Sequence, residues 1–309
     1  MDQKDNQSTS DVLKIIEILS TPDSYQLVYH SALMNEEMLS VNEIIKIMET
    51  IKEIIFPGYF GNNAVRIDNI RFHIGISIDK LHRMLITQLR RGFCFECEHG
   101  ANESCDGCDV NVSDIAKKFM NKLPEIRKKL ATDVQAMLKY DPAATSYGEI
   151  IFAYPAIKAL TNYRVAHELF ILNVPIIPRI ITELAHSETG IDIHPGAQID
   201  EFFCIDHGTG VVIGETTIIG KNVRIYQGVT LGSKSFPTDK NGNPLKVPRH
   251  PILEDDVIIY SGATILGRIT IGKGSEIGGN VWVTNNVPPN SRIVQNKPRE
   301  FGFMDGGGI

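Results

Sequence analysis

From residue 193 onward an aliphatic residue returns every six positions, and few folds can absorb that period. Ile193, Ile199, Ile205 and Val211 form one run. After a two-residue slip, Ile213, Ile219, Ile225 and Leu231 form a second. Leu253, Ile259, Ile265, Ile271, Ile277 and Val283 form a third. A helix would need a 3.6-residue period and a half-buried strand a period of two, so neither fits. Six residues suit one short strand and one corner, and three such units close a triangular coil of about 18 residues, the pattern of a parallel β-helix. Glycine follows the repeat position at 214, 220, 232, 272 and 278, where tight corners fall. A single coil cannot bury its own aliphatic face, so the coils must stack and their ends must be capped. Residues 233–250 break the frame with Pro237, Asn241-Gly242, Asn243-Pro244 and Pro248. These are turn residues, and they predict a loop extruded from one corner.

The region before residue 190 has a helical grammar. Residues 11–20 and 41–56 carry apolar residues at mixed three- and four-residue steps. Ile115, Phe119, Leu123, Ile126, Leu130, Val134 and Met137 predict a helix over 113–140, with Ser113 as its cap and a break or kink at Pro124. Asp141-Pro142 ends it, because the residue before proline leaves the α region. A further helical stretch is expected over 149–185, broken around Pro175 and Pro178. The fold class is therefore α+β. An α-helical domain over 1–190, with a Cys-rich insert at 94–108, precedes a β-helix over 191–290 that carries the 233–250 loop, and a tail follows over 291–309. The helices would cap one end of the solenoid.

The 309 residues leave ample length for two domains. A net charge of −6 without a long basic run argues against nucleic-acid or lipid-headgroup binding. No apolar stretch is long enough to span a membrane, and the polar start MDQKDNQSTSD lacks the apolar core of an export signal. A cytoplasmic setting is expected. Five cysteines without an export signal favour metal binding or free thiols over disulfides.

Three histidines lie near acids or a cation on the solenoid: Asp192-Ile-His194, Asp206-His207-Gly-Thr-Gly and Arg249-His250-Pro. The offset between 193 and 207 is close to one coil less a turn, so Asp192 and His207 are expected on neighbouring coils within hydrogen-bond reach. A carboxylate on one imidazole nitrogen fixes the tautomer and raises the basicity of the other, which can then take a proton from an alcohol at neutral pH.

The linked set Asp192-Ile-His-Pro, Asp206-His207-Gly-Thr-Gly-Val-Val-Ile-Gly-Glu215-Thr, Val229-Thr-Leu-Gly232 and Arg249-His250-Pro resembles the serine O-acetyltransferases, a hexapeptide-repeat acyltransferase family. Upstream, Asp141-Pro142-Ala-Ala and Tyr163-Arg164-x-x-His167 extend the likeness, which covers roughly residues 140–295. The resemblance implies a left-handed β-helix, against the usual right-handed parallel crossover. It implies acetyl transfer from acetyl-CoA to the hydroxyl of L-serine by direct attack, the first step of cysteine synthesis from serine. His207 would be the general base and Asp192 its orienting partner. Asp141 and Asp206 would hold the serine ammonium, Arg249 its carboxylate through the planar guanidinium fork, and His250 would position it. Glu215 would orient these groups. Backbone N–H groups at Gly232 and Ser233 would hold the oxyanion, and acetyl-CoA would run past Ser261, Gly262 and Gly279 between two subunits. Where the family usually reads Leu-Gly-Gly, this chain has Leu231-Gly232-Ser233, and its 233–250 loop is longer.

The same likeness implies a homotrimer, pairing of trimers through the helical domain, cysteine feedback in the serine site, and docking of the Gly-rich tail ending in Ile309 into O-acetylserine sulfhydrylase. Separately, Cys94-x₂-Cys97 and Cys105-x₂-Cys108 form two C-x₂-C pairs, a pattern that suits a structural zinc, reduced thiols or a redox pair. Cys204 reads as a packed residue. Three other functions fit less well: an acetyltransferase for another hydroxyl acceptor such as homoserine, which the Asp141, Asp206 and Arg249 set disfavours without excluding; a γ-carbonic-anhydrase-like zinc enzyme using His194, His207 and His250, which lack the five-residue spacing of two histidines typical of that group; and a non-catalytic scaffold, against which the full acid-base set speaks.

Overall fold

The computed structural model describes residues 2–30, 38–61, 65–95, 110–235 and 237–296. Its helices are α1 (Asp2–Leu19), α2 (Pro22–Tyr25), α3 (Val41–Ile55), α4 (Ile70–Phe95), α5 (Val112–Met120), α6 (Leu123–Tyr140), α7 (Tyr147–Ala153), α8 (Pro155–Ile171) and α9 (Ile177–Thr189). The expected single helix over 113–140 is two, α5 and α6. The break falls at Asn121 and Lys122, and Pro124 sits in the first turn of α6, where its missing N–H costs nothing. Asn111, not Ser113, caps α5 by accepting from the Asp114 N–H. Asp141 ends α6 as expected. The stretch expected over 149–185 is three helices. Pro155 starts α8 and Pro178 lies in the first turn of α9, so both prolines begin helices.

The strands are β1 (Asp192–Ile193), β2 (Gln198–Ile199), β3 (Cys204–Asp206), β4 (Val212–Ile213), β5 (Ile218–Ile219), β6 (Arg224–Tyr226), β7 (Thr230–Gly232), β8 (Ile252–Leu253), β9 (Ile258–Ile259), β10 (Thr264–Leu266), β11 (Thr270–Ile271), β12 (Glu276–Ile277), β13 (Trp282–Val283) and β14 (Arg292–Ile293). They form three parallel sheets, β1-β4-β7-β10-β13, β2-β5-β8-β11 and β3-β6-β9-β12-β14. The six-residue repeat is the register itself. Ile193, Ile213, Leu231, Ile265 and Val283 stack in the first sheet. Ile199, Ile219, Leu253 and Ile271 stack in the second, and Ile205, Ile225, Ile259, Ile277 and Ile293 in the third. The result is a β-solenoid of about five turns, consistent with a left-handed β-helix of hexapeptide repeats. Val211 is the one repeat position off the faces. It is fully buried, but it precedes β4 at a corner that carries two extra residues.

The helices are fastened to the first coil by a buried polar joint. Arg164 on α8 donates from Nε and Nη2 to both oxygens of Asp133 on α6, at 2.7 and 2.9 Å. It also donates to the carbonyls of Ile199 and Asp200. Asp133 accepts from the Phe203 N–H at 3.0 Å. Tyr163 donates to the Ala197 carbonyl and accepts from the Ile199 N–H, while His167 Nδ1 donates to the Pro195 carbonyl. The Tyr163-Arg164-x-x-His167 motif therefore holds the two parts together.

Candidate active site

Two corners of the solenoid collect the chemistry. The first lies between the third sheet and the first, where β3 ends and β4 begins. Consecutive coils of the first sheet are 18 residues apart at Ile213–Leu231 and Ile265–Val283, but Ile193 and Ile213 are 20 apart. The extra residues fall in His207-Gly208-Thr209-Gly210. His207 adopts a left-handed backbone, φ 57°, and its side chain is 74% exposed. A Cβ on Gly208 would meet Ile191 Cδ1 at 2.5 Å, so only glycine lets this corner close over the core. Asp206 Oδ1 lies 3.8 Å from His207 Nε2. Asp141, at the C-terminus of α6, feels the His207 charge, and Tyr154 donates its hydroxyl proton to Asp141 Oδ2. That hydrogen bond, with the Ala143 N–H on Oδ1, holds the Asp141 carboxyl below the usual carboxylate range.

Asp192 opens β1 in the same coil that His207 closes, and no hydrogen bond joins the two. The oxygen of Asp192 instead lies within 4.8 Å of ligand atoms on Glu183 and His186 of α9. In the chain alone the Asp192 carboxylate thus lies near the capping helix and is not hydrogen-bonded to His207.

The second corner lies between the first sheet and the second. The 233–250 segment leaves β7 here, and its residues 237–248 are exposed. The chain returns at Arg249, half-buried, and His250, which is 6% exposed. Thr216 receives both: its Oγ1 accepts from the N–H of Arg249 at 2.9 Å and of His250 at 3.1 Å. The Thr216 N–H then donates to His250 Nδ1 at 3.1 Å, and Thr216 Oγ1 lies 2.9 Å from the same nitrogen. A ring nitrogen that accepts from a backbone N–H carries no proton, so His250 is the neutral Nε2–H tautomer, a donor at its free edge. Burial and the neighbouring Arg249 charge push His250 down to about 4, which keeps it neutral around pH 7. Arg249 Nη2 donates to Glu215 Oε2 at 2.7 Å. Burial and the Arg179 charge lower His194 as well.

The proposed coenzyme residues are divided in the same way. Gly232 ends β7 beside Ser233 at the second corner. Ser261, Gly262 and Gly279 lie at the first-corner edge of higher coils, where the Ser261 carbonyl accepts from Asn280. Gly210, Gly228 and Gly262 form a column of left-handed corners up that edge. The face between the two corners spans residues 211–214, about 13 Å at 3.3 Å per residue. His207 with Asp141 and Asp206 therefore stands apart, within one chain, from Arg249, His250 and Glu215.

Residues 250–285 match the family model of the bacterial transferase hexapeptide (six repeats). A serine acetyltransferase of Synechococcus elongatus, described as plasmid, is 48% identical over 266 residues, 85% of this chain and 83% of that protein. The chain belongs to the serine acetyltransferase family. A serine acetyltransferase of Bacillus licheniformis is 47% identical over 167 residues, 54% of this chain and 74% of its own. Serine acetyltransferase 1 of Entamoeba histolytica, solved in complex with L-cysteine, aligns with TM-score 0.69 and 34% identity, covering 84% of this chain and 88% of that one.

Homologues of this chain are acyltransferases, and two residues of the candidate site carry no mark of their own in the sequence. Tyr154, which braces Asp141, sits thirteen residues away across a helix junction. Thr216, which seats Arg249 and His250, is 33 and 34 residues from them. Gly214, which follows a repeat position, marks the place of the His250 ring. A Cβ there would lie 2.1 Å from His250 Cδ2, so that glycine makes room for the ring. Cys94 is buried at the end of α4, whereas Cys97, Cys105, Cys108 and Ile309 lie outside the described residues. Burial pushes the Cys204 thiol up to about 12, as befits a packed residue. Among the described residues no helix is long and apolar enough to cross a membrane.

Proposed function

We propose that the protein transfers the acetyl group of acetyl-CoA to the hydroxyl of L-serine, with His207 as general base. The observation that carries this reading is the His207 corner. An exposed imidazole is thrown out by a two-residue insertion beside two carboxylates, Asp206 at 3.8 Å and Asp141, in a chain of the serine acetyltransferase family. Asp141 and Asp206 hold the serine ammonium. His207 takes the hydroxyl proton as the oxygen attacks the thioester carbonyl, and the proton then passes to the departing thiolate, so no acyl-enzyme forms. Asp192 orients His207 once substrate draws the ring inward, since catalytic hydrogen bonds tighten in the loaded site. Arg249, aimed by Glu215, holds the serine carboxylate, and His250 donates from Nε2–H. Backbone N–H groups at Gly232 and Ser233 hold the oxyanion, and acetyl-CoA runs along Ser261, Gly262 and Gly279.

Serine is too small to reach both corners of one chain, so the reading includes a homotrimer in which the first corner of one subunit faces the second corner of the next. Pairing of trimers through the helices, a cytoplasmic setting, cysteine synthesis as the pathway, and docking of the Ile309 tail on O-acetylserine sulfhydrylase complete it. For the four-cysteine segment the reading is a structural zinc, supported by the two C-x₂-C pairs, and metal analysis of purified protein tests it.

The experiment follows loss of the acetyl-CoA thioester with L-serine and L-homoserine, using wild type, His207→Ala, Arg249→Ala and a co-expressed mixture of the two variants. Serine-dependent turnover should collapse in each variant. It should return in the mixture to about a quarter of wild type, because random mixing leaves roughly one interface in four with both native residues. Turnover with homoserine alone overturns the acceptor. Each variant inactive and the mixture equally inactive overturns the shared site.

A further inference from the structure

A cavity of about 210 Å³ lies in the helical part, between the end of α3 and the junction of α7 with α8. Phe56, Phe60 and Phe152 form its aromatic wall, Phe60 standing edge-on to both Phe56 and Phe152. Phe152 is 65% exposed and marks the mouth. Two ammonium groups, Lys52 and Lys158, share this lining with no carboxylate among the lining residues. Lys158 pairs with Glu188. Lys52 forms no ion pair among the described residues. Burial holds both lysines below their usual range; the Glu49 charge offsets this in part at Lys52, and the Lys52 charge lowers Lys158 further. Helix α8 begins at the same wall, with no acidic residue in its first turn and no side-chain cap from Tyr154. With Lys158 already paired, Lys52 is the half-buried ammonium of this aromatic pocket, and it is best stabilised by an anion seated beside it.

We infer that this cavity binds a small aromatic carboxylate, its ring among the phenylalanines and its carboxylate on Lys52, and that occupancy is felt at the serine site through Tyr154. The volume is below that of drug-sized pockets, which suits a single ring. Tyr154 and Pro155 form part of the wall, and the Tyr154 hydroxyl donates to Asp141. A ligand that pins this turn keeps Asp141 pre-oriented for the serine ammonium. This second clause rests on the function proposed above; the binding clause does not.

The test is calorimetric titration of the full-length protein with sodium benzoate, and with benzamide as the neutral control. Saturable benzoate binding is expected, with benzamide about tenfold weaker, the ratio that follows from one charge-assisted contact. Lys52→Met should weaken benzoate by about tenfold and Lys52→Arg by less than about threefold. Saturating benzoate should then lower the KM for serine without changing kcat. No saturable binding at millimolar benzoate, or Lys52→Met binding as wild type does, overturns the site. Binding that leaves the serine KM unchanged or raised overturns the link through Tyr154. An untreated enzyme that does not turn over serine overturns the proposed function, and the titration then decides the cavity by itself.

Discussion

Gly214→Ala is the sharpest probe of the second corner. The backbone of Gly214 lies outside the left-handed region, so the only objection to alanine there is space. The new methyl would lie 2.1 Å from His250 Cδ2 and 2.3 Å from Nε2. Moving Cδ2 from 2.1 Å out to the 3.4 Å of ordinary contact means a retreat of about 1.3 Å by the ring. The two contacts to Nδ1, at 3.1 and 2.9 Å, would both pass beyond hydrogen-bond range. At about 1 kcal/mol each, their loss totals about 2 kcal/mol, which corresponds to roughly a thirtyfold change in an equilibrium or in the serine KM. The assay is the initial rate of thioester loss against serine concentration, in Gly214→Ala, His250→Ala and the double variant. The double variant should match His250→Ala, because alanine has nothing left to displace. A serine KM within twofold of wild type, or a full Gly214→Ala defect persisting without His250, would refute the argument.

Three further outcomes follow from the same structure. Arg164→Met leaves the fully buried Asp133 without its partner and should cost about 3–5 kcal/mol in urea unfolding, with less than about 1 kcal/mol refuting the joint between helices and solenoid. His250 is depressed from 6.5 to about 4 in the folded chain, so between those values the unfolded chain binds the extra proton. The stability this contributes is complete above about pH 6.5 and is lost as pH falls toward 4. The melting temperature of wild type should therefore drop more steeply across that window than that of His250→Gln, and parallel curves would contradict the assignment. Tyr154→Phe removes the largest influence holding the Asp141 carboxyl down, so the acid limb of kcat/KM for serine should move to higher pH; an unmoved limb would separate Asp141 from ammonium binding.

The solenoid could be read from its sequence because every inward position meets the same demand, an aliphatic stacked on another aliphatic a coil away. Ile199, Ile219, Leu253 and Ile271 could hardly be anything else. The helices were harder. The buried side of α4 includes Ser77, Gln88 and Gly92 among its leucines, so its stripe is broken and the helix goes unseen by hydrophobic spacing. The role of Arg164 was invisible for a different reason: its partners are Asp133 and the carbonyls of Ile199 and Asp200, and a carbonyl has no identity in a sequence. At the site, residue types and order marked His207, Arg249 and His250. Their distribution over two corners depends on coil geometry, and the nearness of Asp192 to Glu183 and His186 depends on how α9 closes the first coil.

The register of the sheets also limits how such a chain can change its length. With Ile213 above Ile193 and Leu231 above Ile213, a deletion that is not a multiple of six would take the later aliphatics off their inward positions unless a corner absorbed the difference. Two corners here do absorb one, the first with its extra pair before β4 and the second with the 233–250 loop. Insertions among the described coils thus fall at the corners that carry the candidate site, and the faces between them are closed to single-residue drift. Adding or removing a whole coil above β10 would lengthen or shorten the first-corner edge in fixed steps while leaving His207, Asp206 and Arg249 where they are.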